Sequence, residues 1–250
     1  MKYIPLGTGS CVPDYRKNSS GALLEINRKL ILIDCGTGIL HTITKTDYDY
    51  KDIDAIFITH LHLDHINDFP ALLFALKNDP ACHRNRDIQA FGPTGLKEYY
   101  KKIKELHGET VVSENYKVEI QEMSNSELEY GPIKVSSQKT YHTKNSIGFR
   151  FENDGTVFTS TGDTGYNENV VELCRQANTA VMECSAPQEY VKKTHLSPRR
   201  VGKIALEANV SRVIVNHLYP VMDKIPMKEI IKKRYQGKIE IAKVGKIYTI

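Results

Sequence analysis

Residues Thr59–His65 read Thr-His-Leu-His-Leu-Asp-His, three imidazoles and a carboxylate packed directly behind the apolar run from Asp54 to Ile58. Side chains of an extended chain repeat with period two, so His60 and His62 face one side. Asp64 and His65 fall where the chain begins to wind into a helix, and therefore point elsewhere. Two pairs of nitrogen and oxygen donors facing two directions suit two metal ions. Burying these groups with no cation would cost several kcal/mol unless each found its own partner.

Three further residues stand where strands are expected to end. His142 follows the run Ile133–Tyr141, Asp163 lies in Ser-Thr-Gly-Asp-Thr-Gly after Val157–Thr159, and His217 follows Ser211–Asn216. Taken singly, His142 reads as an ordinary surface or core histidine, and an Asp beside Gly reads as a turn former. Together with the first motif they complete two ligand sets. His60, His62 and His142 would hold one ion, Asp64, His65 and His217 the other, and the Asp163 carboxylate could bridge them, leaving space for water.

The elements that must position these groups are short apolar strands at Tyr3–Leu6, Ala22–Ile26, Leu30–Ile33, Ala55–Ile58, Gly155–Thr159, Ala180–Met182 and Val213–Val215. Helical periodicity occupies Phe69–Lys77, Gly95–Leu106, Asn167–Gln176, Pro198–Ala208 and Met227–Arg234. The class is α/β, and no linker divides the chain, so residues 1–250 read as a single domain. Leu30–Gly38 echoes Val157–Gly165, and Phe57–His60 echoes Val213–His217. Two such halves packed sheet on sheet would give a four-layer αββα sandwich whose strand ends meet along one edge. Ligand sites in open α/β sheets gather at such strand ends.

Composition narrows the class further. The formal charge of +4 over 250 residues implies no nucleic-acid binding by itself. Five widely spaced cysteines without a Cys-x-x-Cys pair argue against a disulfide framework or a cysteine zinc cluster. No apolar stretch is long enough to span a bilayer and the first residues carry no secretion signal, so the expectation is no membrane and a cytoplasmic location.

The motifs Leu-Gly-Thr-Gly-Ser-Cys-Val-Pro near the start, Leu32–Gly38, Thr59–His65, Tyr141–Thr143, the segment around Asp163, Thr194–Pro198 and Asn216–Pro220 resemble the metallo-β-lactamase superfamily. The branch they are similar to contains ribonuclease Z and related phosphodiesterases. The resemblance implies the metallo-β-lactamase fold and a dinuclear zinc centre, with manganese or iron also suited to the donors. It places Asp34 beside the metals as a carboxylate that orients a ligand, the other reading being a turn residue before Gly36. It also implies that His195 reaches the scissile phosphate. Ser197 and Pro198 look like a cap and first-turn proline, which puts His195 just ahead of a helix. His195 would protonate the leaving oxygen, while Asp64 orients the attacking water and takes its proton.

Lys192, Lys193, Arg199, Arg200, Lys139 and Lys144 would give the cleft a positive rim that favours anionic substrates. Long-armed ribonuclease Z proteins carry an insertion between the third histidine motif and the Asp163 equivalent. Here that interval holds only a strand-turn-strand stretch, Thr143–Gly162, so a cyclic nucleotide or short oligonucleotide is the leading substrate. Three alternatives stay open: ribonuclease Z without the long arm, a thioesterase or lactonase on the same metals, and a non-catalytic metal-stabilised binding protein. RNA and a second copy of the chain remain open as partners.

Overall fold

The segment Lys29–Cys35 is apolar on both faces: Leu30 and Leu32 enter one core, Ile31 and Ile33 another, as in a strand covered on both sides. In the computed structural model, which describes residues 1–250, it is one of fourteen strands. In chain order these are β1 (Lys2–Gly7), β2 (Gly21–Ile26), β3 (Lys29–Cys35), β4 (Ala55–Phe57), β5 (Ile88–Pro93), β6 (Val118–Met123), β7 (Glu127–Tyr130), β8 (Ile133–Lys139), β9 (Ile147–Asn153), β10 (Thr156–Ser160), β11 (Thr179–Glu183), β12 (Arg212–Asn216), β13 (Lys238–Ile241) and β14 (Tyr248–Thr249).

They form two seven-stranded sheets, ordered β14-β1-β2-β3-β4-β5-β6 and β13-β12-β11-β10-β9-β8-β7. Each sheet is antiparallel through one half and parallel through the other. The change falls after β3 in the first sheet and after β10 in the second. The echo between Leu30–Gly38 and Val157–Gly165 thus joins topologically equivalent positions. The second echo does not: β4 directly follows its junction strand, whereas β12 lies one strand further out than β11.

Seven helices cover the outer faces: α1 (Ile39–Ile43), α2 (Leu63–Ile66), α3 (Phe69–Asn78), α4 (Leu96–His107), α5 (Glu168–Leu173), α6 (Pro198–Glu207) and α7 (Met227–Lys232). Phe69, Leu72, Leu73 and Leu76 of α3 pack on Leu32 and Ile56 of the first sheet. Val201 and Ile204 of α6 and Ile231 of α7 cover Met182 and Val215 of the second. Between the sheets lies a third core rich in aromatic rings, in which Phe57 stacks on Phe91 at 4.6 Å and meets Phe151 edge-on at 5.0 Å. The layers are therefore helix, sheet, sheet, helix.

Some boundaries differ from the periodicity. The expected Asn167–Gln176 helix begins one residue later, because Asn167 is its cap and accepts from the Val170 amide at 3.1 Å. It stops early, and Gln176 adopts a left-handed φ of 53°. The short helix α1 and the strands β5, β6, β7, β13 and β14 were not expected. In β6, Val118 and Ile120 alternate with Glu119 and Gln121, too weak an apolar signal to mark a strand.

Candidate metal centre and active-site cleft

The chain leaves β4 extended, and His62 is the N-cap of α2 with φ −68° and ψ 148°. Asp64 and His65 therefore sit in the first helical turn and turn away from His60 and His62. Close backbone contact fixes that turn. The Asp64 carbonyl accepts from the Ser20 amide at 3.0 Å, and a Cβ at Gly36 would come within 2.0 Å of the same oxygen. Only glycine fits there. His217 follows β12 in the left-handed region at φ 55°, which redirects its ring toward the other ligands. Asp163 lies in the turn after β10, and His142 in the loop after β8.

These side chains converge from four places in the chain. His62 Nδ1 lies 3.1 Å from both His60 Nε2 and His142 Nε2. On the other side, His217 Nε2 is 3.3 Å and His65 Nε2 3.9 Å from Asp64 Oδ2. Asp163 stands between the groups. Its Oδ2 faces His142 Nε2 at 3.7 Å and His60 Nε2 at 4.0 Å, and its Oδ1 faces His65 Nε2 at 3.3 Å and His217 Nε2 at 3.4 Å. All seven residues singled out as metal donors are thus brought together.

Backbone and side-chain acceptors hold the far nitrogens of these rings. His65 Nδ1 is 2.7 Å from Asp34 Oδ2, and His142 Nδ1 is 3.2 Å from the Thr194 carbonyl. Buried Asp34 also accepts from the amide and hydroxyl of Thr59 at 2.8 and 2.9 Å, so it orients the ring, and it lies within β3 instead of in the turn before Gly36. Each Nδ1–H that donates outward leaves an Nε2 lone pair facing inward, the form that binds a metal.

The cluster's own polar atoms are not satisfied among themselves. His65 Nε2 and Asp163 Oδ1 are buried without a hydrogen-bond partner. An orphaned buried polar group costs about 1–3 kcal/mol, which a cation taking both lone pairs would offset. Burial, reinforced by His65, pushes His60 well below the ordinary imidazole value, toward the neutral ligand form. Burial acts to raise the Asp163 carboxyl, but His217 and His65 outweigh it and hold that group well below the usual carboxylate range. The unpartnered His65 Nε2 and Asp163 Oδ1, set among further imidazole nitrogens and carboxylate oxygens, are the donor types a divalent metal takes, so the residues present fit such an ion.

His195 stands just before α6, whose cap is Ser197, as its sequence position implied. What the sequence did not single out is Glu183. This buried carboxylate at the end of β11 accepts from His195 Nδ1 at 2.8 Å and from the Thr164 amide at 2.8 Å. Burial acts to lower His195, but the bond to Glu183 prevails and raises it above the ordinary imidazole value. The signal available was slight: a lone Glu directly behind the apolar run Ala180–Met182. Arg200 corrects one expectation. Its Nη1 donates to the carbonyls of Lys192 and His195 at 2.9 and 2.6 Å, so it braces the His195 loop instead of forming a free rim charge.

His62, Asp64, His142, Asp163 and His195 line a cleft of about 640 Å³, with Lys192 on its wall. Fold and site define a metal-dependent hydrolase of the metallo-β-lactamase superfamily, in its ribonuclease Z and phosphodiesterase-like branch. The chain belongs to the family described as "Anti-Pycsar protein Apyc1", whose profile matches residues 1–226. It is similar to the probable metallo-hydrolase YhfI of Bacillus subtilis, 23% identical with 99% of each chain covered. The crystal structure of YhfI superposes with a TM-score of 0.84 at 22% identity, again over 99% of each chain. Ribonuclease Z of Archaeoglobus fulgidus is 23% identical, covering 94% of this chain and 93% of its own. The short form of human tRNase Z shares the fold with a TM-score of 0.82 at 21% identity, over 100% of this chain and 99% of that one. No helix is long and apolar enough to cross a membrane.

Proposed function

We propose that residues 1–250 act as one hydrolase domain that holds two zinc ions and cleaves a small phosphodiester, a cyclic nucleotide or short oligonucleotide. The observation that carries this reading is Asp163, whose two oxygens face two separate donor groups. His60, His62 and His142 would hold one ion and Asp64, His65 and His217 the other, with Asp163 shared. Manganese or iron would suit the same donors.

When bound, the cations supply Lewis acidity, which neutralises phosphoryl charge and acidifies water. The protein's own groups do the rest. The Asp64 carboxylate orients the attacking water and accepts its proton. His195, anchored through Nδ1 on Glu183, donates a proton from its other nitrogen to the leaving oxygen. Lys192 draws the anion into the cleft.

The interval Thr143–Gly162 bears on the size of the substrate. This interval is occupied by the β9–β10 hairpin, turned at Asp154 and Gly155, with no room for an arm that would grip a large RNA. The alignment with the Archaeoglobus enzyme runs over 291 positions, so that ribonuclease Z carries insertions this chain lacks. A second reading, tRNA 3′ processing, is favoured by the names of relatives that align along nearly the whole chain.

The decisive experiment compares cyclic nucleotides, bis-p-nitrophenyl phosphate, a tRNA precursor, a thioester and a lactone, each with zinc or manganese. The small phosphodiesters are expected to turn over fastest. Preference for the tRNA precursor would establish the second reading, and hydrolysis confined to the thioester or lactone would overturn both.

A further inference from the structure

Beneath the proposed proton donor and one proposed metal ligand lies a single buried hydroxyl. Glu183 and Asn216 are register partners on the adjacent parallel strands β11 and β12. The pairing continues past the strand ends, with the Cys184 amide donating to the Asn216 carbonyl at 2.9 Å and the Tyr219 amide to the Ser185 carbonyl at 3.3 Å. This parallel run sets Ser185, 1% exposed, beside His217. Ser185 Oγ lies 3.2 Å from His217 Nδ1 and 3.2 Å from His195 Nδ1, and it hydrogen-bonds Glu183 Oε2.

Proton counting assigns the direction of each bond. A serine hydroxyl has one hydrogen, and a carboxylate accepts without donating. The Ser185 hydrogen therefore goes to Glu183 Oε2, leaving only lone pairs on Oγ toward the rings. His195 Nδ1–H has the nearer acceptor in Glu183 Oε1, at 2.8 Å. His217 Nδ1 has no other side-chain or backbone acceptor, so its hydrogen points at Ser185 Oγ. That tautomer puts the His217 Nε2 lone pair on the side of Asp64 and Asp163.

We infer that Ser185 is a positioning residue that fixes the tautomer and ring angle of His217, relaying to it the same Glu183 carboxylate that anchors His195. The inference rests on the proposed metal-dependent reading of the site. One buried acid then holds both a metal ligand and the proton donor, directly in one case and through a hydroxyl in the other. Loss of the hydroxyl touches the Asp64–His65–His217 donors and spares the His60–His62–His142 donors, which lie across Asp163.

The test measures zinc equivalents bound against buffered free zinc, alongside turnover. Wild type is expected to bind two equivalents. Ser185→Ala is expected to weaken one of them about 10–100-fold while the other holds, the usual effect of losing a group that orients a metal-bound histidine. Ser185→Thr, which keeps the hydroxyl, restores both. His195→Ala leaves zinc binding unchanged. If Ser185→Ala does not fold, Ser185→Cys, similar in size and a poor acceptor, carries the same comparison. Undiminished binding of both ions in the variant, equal loss of both, or failure of Thr to rescue would overturn the inference while the hydrolase reading stands. A wild type that binds no zinc would overturn both together.

Discussion

Asp34 and Asp163 grip the His65 imidazole from opposite edges, Asp34 Oδ2 at 2.7 Å from Nδ1 and Asp163 Oδ1 at 3.3 Å from Nε2. Only the first contact is a hydrogen bond, and the ring is thereby held with its second nitrogen bare. Asp34→Asn would retain shape and place an amide donor against Nδ1, driving the ring hydrogen to Nε2. The expected result is a 10–100-fold loss of metal affinity at that position. Metal titration checks it, and unchanged affinity would remove Asp34 from the support of the site.

His195→Ala separates proton donation from metal binding. Turnover of a phosphodiester with an alkoxide leaving group is expected to fall roughly 10²–10⁴-fold, the usual worth of general acid catalysis. A p-nitrophenolate leaving group needs little protonation, so its hydrolysis is expected to fall far less. Equal losses on both substrates would refute the donor assignment.

The brace formed by Arg200 gives a subtler expectation. Its guanidinium reaches two carbonyls at once, which an ammonium point charge on a flexible stem does not reproduce. Both Arg200→Ala and Arg200→Lys are expected to lower kcat about tenfold through a misplaced His195. Metal content stays constant. Full activity in the lysine variant would show that charge alone suffices.

Chelation should reveal how much the buried donors depend on their ions. At free metal about a thousandfold above Kd, binding of each ion contributes ~4 kcal/mol to the folded state. For a chain of this size that corresponds to a fall in Tm of roughly 10 °C for each ion removed. Calorimetry with and without chelator measures it, and an unchanged Tm would argue against occupied buried sites.

The proposed donors were legible because chemistry and geometry coincide in a short stretch: Thr59–His65 carries four donor groups behind a buried strand, and spacing alone says which pairs face together. Asp163 and His217 were legible only in company, since each sits at a strand end in a turn any Asp or His could occupy. Glu183, Ser185 and Arg200 were not legible. A charged residue behind an apolar run normally marks the strand's exit to solvent, and nothing local says that Glu183 stays buried under two histidines. The helices α3, α4 and α6 fell within a residue or two of their periodic patterns. The edge strands did not, because pairing with a neighbour, not hydropathy, makes them strands.

The pairing of β14 with β1, through Thr249 with Lys2 and Tyr248 with Tyr3, ties together two segments that lie far apart in the sequence. The amide of Gly245 likewise reaches the carbonyl of Pro5 at 2.8 Å. During synthesis the outer rim of β1 consequently waits with bare amides and carbonyls until residues 245–250 emerge. An incomplete nascent chain presents that rim to any strand nearby, which makes the ribosome-bound stage its period of greatest exposure to aggregation.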